Sequence, residues 1–315
     1  MLIPQTRNIG LPMMNLLRFK GLPILQQLHI EEQLLRTSSE NWCIINDGTN
    51  DPTIVMGVSG KPAELLEIES VLRDQVPVIR RFTGGGTVIV DCGTIFATFI
   101  CNKEAVPDLQ PYPRPIMSWS SLLYGKVFQG IGDFHLRENG FRLENITLEL
   151  IPKVAVVYSL DNISVLLKTN IRNVFYHVVI PAFPLNECIS GCLVLDYVFG
   201  NHKFGGNAQS ITKSRWIHHT SFLWDFEVRN MTYLKLPKRA PEYRLARGHL
   251  DFICCMKDYM PRSTFINKTV EATGTQFSLR SYPLEAIETG SETEFYPSTR
   301  FLTDEELEAA AAAGQ

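Results

Sequence analysis

Two spacings alternate along the chain. Over 23–36 apolar residues recur at Ile24, Leu25, Leu28, Leu34 and Leu35, with proline near the first turn. That spacing predicts an amphipathic helix. Trp42-Cys43-Ile44-Ile45 and Thr53-Ile54-Val55-Met56 are short apolar runs parted by turn-forming residues at 46–52, which predicts strands. A short helix is predicted over 63–73, then strands at 76–79 and 88–90 and a third, alternating one over 94–100. Four prolines mark 107–115 as a loop, and a helix is predicted over 116–128. Further on, the pattern predicts a strand at 134–137, a long strand over 220–228 and a helix over 242–260. Thr303-Asp304-Glu305-Glu306 is a capping box ahead of an alanine run, read as a surface appendage. The whole reads as a mixed α/β (α+β) fold with largely antiparallel sheets and flanking helices.

Composition narrows the function. The chain has 315 residues, 45% hydrophobic and 20% charged, with a net charge of −3. That balance gives no reason to expect nucleic acid or a membrane as partner. The seven cysteines form no C-x-x-C pair, and Cys188 and Cys192 lack further ligands for zinc, which fits a reduced compartment. The first 30 residues carry Arg7, Arg18 and Lys20 but no acid. This is weakly like a presequence, so a cytoplasmic place is expected, with mitochondrion or plastid as alternatives.

The chemistry concentrates in two glycine-rich stretches. Arg80-Arg81-Phe82-Thr83-Gly84-Gly85-Gly86-Thr87-Val88-Ile89-Val90-Asp91 joins two predicted strands through three glycines, beside paired cations. Main-chain N–H groups and fixed arginines suit phosphate or carboxylate oxygens, although a salt bridge at a strand end would also account for either arginine. The second stretch, Gly200-Asn201-His202-Lys203-Phe204-Gly205-Gly206-Asn207-Ala208, sets a lysine before another glycine pair. A mobile ammonium can follow a phosphate whose geometry changes during reaction. Gly57-Val58-Ser59-Gly60-Lys61-Pro62 fails as a phosphate-binding P-loop, because proline replaces the Ser/Thr, and leaves Lys61 on the rim.

These stretches resemble the lipoate–protein ligase A type of the biotin/lipoate protein ligase family. Its signature is an Arg-Arg-x-Ser/Thr-Gly-Gly-Gly-x-Val loop ending in Asp, then an Asn-Asp pair, a Lys-x-x-Gly-x-Ala segment and a His-(His/Gly)-x-Ser/Thr-Leu strand. Here Arg80 to Asp91, Lys203 to Ala208 and His218-His219-Thr220-Ser221-Phe222 follow in that order, with phenylalanine in the leucine place. The resemblance implies the fold of the biotinyl and class II aminoacyl-tRNA synthetases. It implies activation of lipoate by ATP and magnesium to lipoyl-adenylate, then transfer to a lysine of a lipoyl domain. Such domains belong to 2-oxoacid dehydrogenases or the glycine-cleavage H protein.

In this frame Lys203 is the catalytic cation. Arg80, Arg81, Gly84, Gly85, Gly86, Gly205, Gly206, Asn207 and Ala208 bind substrate or nucleotide. Asp196 and Asn139 are implied as magnesium or orienting residues, and His218 and His219 either pack or touch ligand. Two departures, Val90 for His and Thr94 for Asn, fall near the expected nucleotide site. Octanoyl transfer by the same fold is an alternative, but no cysteine stands at Gly132 or Asp133, where a nucleophile is expected. A degenerate acyl-binding paralogue is another, and the glycine motif differs from that of biotin ligases.

One segment interrupts the resemblance, so the expected organisation is a catalytic domain over 1–260, an insert at 140–195, and a tail at 261–315 without a recognisable accessory domain. Joined across the insert, Asn139 meets Asp196, restoring the Asn-Asp pair on one strand. Of the 56 inserted residues 32 are apolar, about 57% against 45% for the chain. A surface insertion should be the more polar. The segment therefore reads as translated intron sequence, with a true inserted subdomain as the alternative.

Overall fold

The computed structural model describes residues 10–138, 195–237, 240–284 and 295–314, with four two-residue strand pieces between 156 and 175. The chain divides into two compact units, 1–139 with 194–315, and 140–193. The first unit opens with β1 (Met13–Lys20), where Met14, Leu16 and Leu17 are buried. Helix α1 (Ile24–Thr37) starts at Pro23, whose ring fixes φ at −54° without a side-chain cap. Strands β2 (Trp42–Asp47) and β3 (Thr53–Met56) follow, then short helices α2 (Pro62–Leu65) and α3 (Ile68–Arg73). Next come β4 (Val78–Arg80), β5 (Val88–Val90), β6 (Thr94–Asn102), α4 (Pro113–Val127) and β7 (Phe134–Glu138). In the second unit β8 (Val156–Val157) pairs antiparallel with β9 (Leu166–Leu167), and β10 (Asn170–Ile171) with β11 (Val174–Phe175). The first unit resumes with β12 (Leu195–Phe199), β13 (His202–Ile211) and β14 (Arg215–Leu223). It closes with α5 (His249–Phe252), α6 (Arg262–Gly274), β15 (Ser278–Ser281), β16 (Arg300–Phe301) and α7 (Asp304–Ala313).

Among the described residues the large sheet runs β15-β1-β2-β6-β14-β13-β12-β7, and a smaller one runs β16-β4-β3-β5. In the large sheet β1 is parallel to β2 and β15, while the other neighbours are antiparallel. The fold class expected from the sequence is therefore the one observed. Helix α1 lays Ile30, Leu34 and Leu35 on Leu17, Trp42, Ile44, Ile100 and Ile217. Its first turns, Ile24 and Leu28, pack with Val55, Ile79, Val90 and Phe96 and form the floor on which the site is built. A separate aromatic layer holds Phe128, Phe134, Tyr197, Phe199, Phe204, Phe222 and Phe265, with Phe199 and Phe204 stacked at 4.1 Å.

Several expectations are corrected. Residues 13–20 form a strand inside the sheet, which the pattern did not predict. The strand foreseen over 220–228 ends at Leu223, where Asp225 turns to donate its N–H to the Gly93 carbonyl. The helix foreseen over 242–260 is broken by Leu245 and Ala246 in the left-handed region, leaving only short turns and α5. The tail is no appendage: α6 buries Phe265 and Ile266, β15 pairs with β1, and Leu302 and Leu307 join the core of the small sheet. The capping box forms as expected at Thr303 and Glu306.

The largest correction concerns the two sides of the insert. β7 and β12 are antiparallel neighbours, from Phe134↔Phe199 to Glu138↔Leu195, so they are not parts of one strand. The chain leaves β7 and returns to β12 at the same point of the ladder. Asp196 pairs with Arg137, and Asn139 lies outside the described residues.

Candidate active site

A cavity of about 70 Å³ lies between α1, β6, β13, β14 and the loop after β4. Ile24, Leu28 and Phe96 supply its apolar wall, and Lys203, His219 and Ser221 its polar side. The glycine loop covers it. Gly85 sits at φ +112°, and a Cβ there would lie 2.8 Å from the Arg81 guanidinium, so only glycine fits. Gly84 and Gly86 have open space beside them, which leaves their main chain free to be approached.

Arg81 shapes this loop instead of reaching into solvent. It is buried, and it donates Nε–H to Thr83 Oγ1 (2.9 Å), Nη1–H to the Val55 carbonyl (3.2 Å), and Nη2–H to the carbonyls of Gly84 (3.1 Å) and Gly86 (2.8 Å). Burial pushes its pKa down to about 10, so it stays charged at neutral pH. Arg80 does similar work next door, holding the carbonyls of Val58 (3.1 Å) and Gly60 (2.7 Å). Lys61 sits on the exposed rim, 3.7 Å from Glu64. Among the described residues neither arginine forms the strand-end salt bridge that the sequence left open; both hold backbone carbonyls.

Beneath the loop runs a buried hydrogen-bond chain. Thr83 Oγ1 meets His219 Nε2 at 3.2 Å, and His219 Nδ1 meets Glu31 Oε2 at 2.8 Å. Glu31 also accepts from Gln27 Nε2 (2.8 Å) and Thr98 Oγ1 (2.7 Å). The chain ties α1, β6 and β14 to the loop. His218 points to the other side of β14 and contacts Tyr197, Gln209 and Thr220. Burial, with His219 adding to it, pushes His218 down to about 3, so it is neutral and structural. The alternation of the strand thus gives one histidine to the core and one to the cavity.

Lys203 closes the polar side. Its Nζ is 2.7 Å from Asp196 Oδ1, an ion pair without a hydrogen bond, and Asp196 is 1% exposed. Asp196 Oδ2 accepts from Tyr243 at 2.7 Å. Lys203 pairs with Val198 while Gly205 pairs with Tyr197, so Phe204 is an extra residue in a β-bulge. Phe204 packs in the aromatic layer, and a Cβ on Gly205 would press on Tyr197 and Phe222. Lys203 and Gly206 share the cavity side, with the ammonium 3.6 Å from where a Gly206 Cβ would be. Gly86, Gly206, Asn207 and Ala208 line the cavity; Gly205 does not. Asp91 is buried in the turn after β5, accepting from Gly93 and Asn230.

The lipoyl protein ligase A/B catalytic-domain model matches residues 23–132 and 169–278. The chain belongs to that family. The second matched stretch starts inside the segment expected to be an insert. The curated "Inactive lipoate--protein ligase 2" of Plasmodium falciparum (isolate 3D7) is 23% identical over 244 residues, 75% of this chain; the chain spans 56% of that relative's length. Among solved structures, lipoate-protein ligase A bound with ATP superposes at a TM-score of 0.55 and 13% identity, over 90% of this chain and 97% of that one. A bi-partite lipoate protein ligase and its E2 lipoyl domain from Thermoplasma acidophilum gives 0.56 and 13%, over 90% and 95%. LipL1 of P. falciparum in complex with lipoate gives 0.52 and 16%, over 89% and 69%. The fold is that of the lipoate–protein ligases.

Sequence reasoning missed Glu31 and Tyr243, and did not assign Thr83. Glu31 carried a signal: it falls on the stripe of Ile24, Leu28 and Leu35, where an acid must be buried and needs partners. Thr83 lay inside the recognised motif. Nothing in the pattern marked Tyr243, which sits at the start of the segment read as a helix over 242–260.

Proposed function

We propose that the chain is an ATP-dependent lipoate–protein ligase. The observation that carries the reading is Lys203, a partly buried ammonium held by Asp196 on the polar side of a cavity under a glycine loop, facing an apolar wall. In the reaction a lipoate carboxylate oxygen attacks the α-phosphorus of ATP, the P–O bond breaks, and pyrophosphate leaves. Charge grows on the phosphoryl oxygens and the acyl oxygen, where a preorganised cation and main-chain N–H groups lower the barrier. An unprotonated lysine of a lipoyl domain then attacks the acyl carbon, loses its proton, and releases AMP. The apolar wall of Ile24, Leu28 and Phe96 suits the aliphatic tail.

Magnesium was implied by the resemblance; among the described residues no three acids, histidines or cysteines converge to hold it. Such an ion would come with the nucleotide, held mostly by phosphate oxygens and water, and Asp196, whose Oδ1 makes an ion pair with Lys203 and no hydrogen bond, is the acid nearest the catalytic cation. No step is derived through it.

Octanoyl transfer has little support, since among the described residues no cysteine lines the cavity. Cys254 and Cys255 follow Ile253, which bridges to Lys203, but burial raises their thiols to about 12 and about 11, too high for an attacking thiolate. A binding-only paralogue is favoured by one observation: the curated relative that is 23% identical is named an inactive lipoate–protein ligase. Lipoate-dependent ATP–pyrophosphate exchange decides between them. Lys203→Ala should lower it on the order of 10²–10³-fold. No exchange by the unaltered chain, with lipoate still bound, establishes the binding-only reading.

A further inference from the structure

Residues 240–254 lie outside every recognised motif, yet they wrap the hairpin that carries Lys203. Leu245 and Ala246 turn back in the left-handed region at φ 51° and 59°. Arg247 then fastens the turn, donating to the carbonyls of Tyr243 (2.9 Å), Arg244 (3.0 Å), Asp251 (3.1 Å) and Asn201 (2.8 Å). The Cys254 N–H donates to the Lys203 carbonyl at 2.9 Å. The Tyr243 ring packs tilted against Phe252, with ring centres 5.3 Å apart, and beneath the Arg137 guanidinium.

We propose that Tyr243 is a positioning residue for Lys203, acting through Asp196. Its hydroxyl donates to Oδ2 at 2.7 Å and so holds the carboxylate with Oδ1 facing the ammonium. A carboxylate with one oxygen unfastened can rotate about its last bond and carry the ammonium with it; the phenol removes that freedom. Burial and the Asp196 charge push the phenol well above its usual range, so it remains a donor at every working pH. The inference rests on the ligase reading only for which reaction Lys203 serves.

The test is Tyr243→Phe, which keeps the ring and its packing and deletes the hydroxyl. Turnover in lipoate-dependent exchange should fall about tenfold to a hundredfold, the scale of a small misplacement of a reacting group. KM for ATP and lipoate should hold within about twofold, since neither is touched. Asp196→Asn should lower turnover as well, and adding Tyr243→Phe to it should cause no further loss, as expected of two residues acting in one chain. A second readout needs no activity. With acetic anhydride as the probe and mass spectrometry of the folded protein, Lys203 should acylate several-fold faster in Tyr243→Phe, because an ammonium clamped to a carboxylate reacts slowly. Unchanged labelling, additive losses in the double variant, or unchanged turnover beside an active parent overturns the proposal. A parent with no exchange overturns the ligase reading alone, and the labelling then still decides for or against Tyr243.

Discussion

Replacing Arg81 by methionine separates loop order from global stability. The guanidinium resists burial: its drop from 12.5 to about 10 corresponds to about 3 kcal/mol opposing folding. The sign follows from a base whose folded pKa is depressed. The penalty is fully present at neutral pH and fades only as pH rises through about 10. Against it stand four hydrogen bonds, two of them to half-buried Gly84 and exposed Gly86 in the loop, whose carbonyls water can take over. Thr83 Oγ1 and the Val55 carbonyl are buried and would lose a donor, at about 1–3 kcal/mol each. The relief and the loss nearly cancel, so Arg81→Met should change stability in urea unfolding by between a gain of about 1 and a loss of about 3 kcal/mol. The loop should suffer far more, with amide exchange at 83–87 accelerated and pyrophosphate exchange largely lost. A global loss above about 5 kcal/mol, or loop protection equal to the parent, would refute this reasoning.

Replacing Cys254 and Cys255 together by serine should leave lipoylation of a lipoyl domain intact; its loss would revive thiol-based transfer. For Glu32, burial alone would raise the carboxyl, but hydrogen bonds from Ser298 and Thr299 and from Arg36 hold it below 4.5. Such a group stabilises above pH about 4.5 and ceases to as pH falls through its lowered value. Glu32→Gln should therefore cost about 1–3 kcal/mol at pH 7 and less at pH 3, by denaturant unfolding, and an equal cost at both would contradict it. We also propose that residues 140–195 are dispensable. Joining Asn139 to Asp196 leaves Arg137↔Asp196 as the last pair, closed by Glu138-Asn139, a two-residue hairpin loop. The shortened chain should be as soluble as the parent or more so, with at least its exchange activity. A shortened chain that is insoluble or inactive beside an active parent would make the segment part of the enzyme.

Much of the core was legible because its strands and α1 carry period-true patterns, and the motifs gave Arg81, Lys203 and the glycine loop directly. What was illegible follows from physics that patterns do not carry. β1 has Asn15 and Arg18 among its apolar residues and no alternation, because both of its faces are covered: Met14 and Leu16 on one and Asn15 and Leu17 on the other are all buried. Leu245 looked like one step of an apolar helix stripe, yet it is exposed in the left-handed region where Arg247 gathers the backbone. Arg81 was expected to face ligand because arginines suit anions. The sequence could not show that backbone carbonyls would claim its donors first.

The bulge at Phe204 gives the Lys-x-x-Gly spacing its meaning. On a regular strand, residues three apart lie on opposite faces. Lys203 and Gly206 share a face only because β13 has one residue more than β12 over this stretch. An odd interval between two residues that must meet one ligand is thus the written trace of a length mismatch between neighbouring strands. One residue inserted between Tyr197 and Val198 would restore the balance, heal the bulge and swing Lys203 into the aromatic layer, away from Asp196. Every motif letter would still be in place. A copy of this domain can fall silent through arithmetic alone, and a comparison that scores only residue identity would still count it as active.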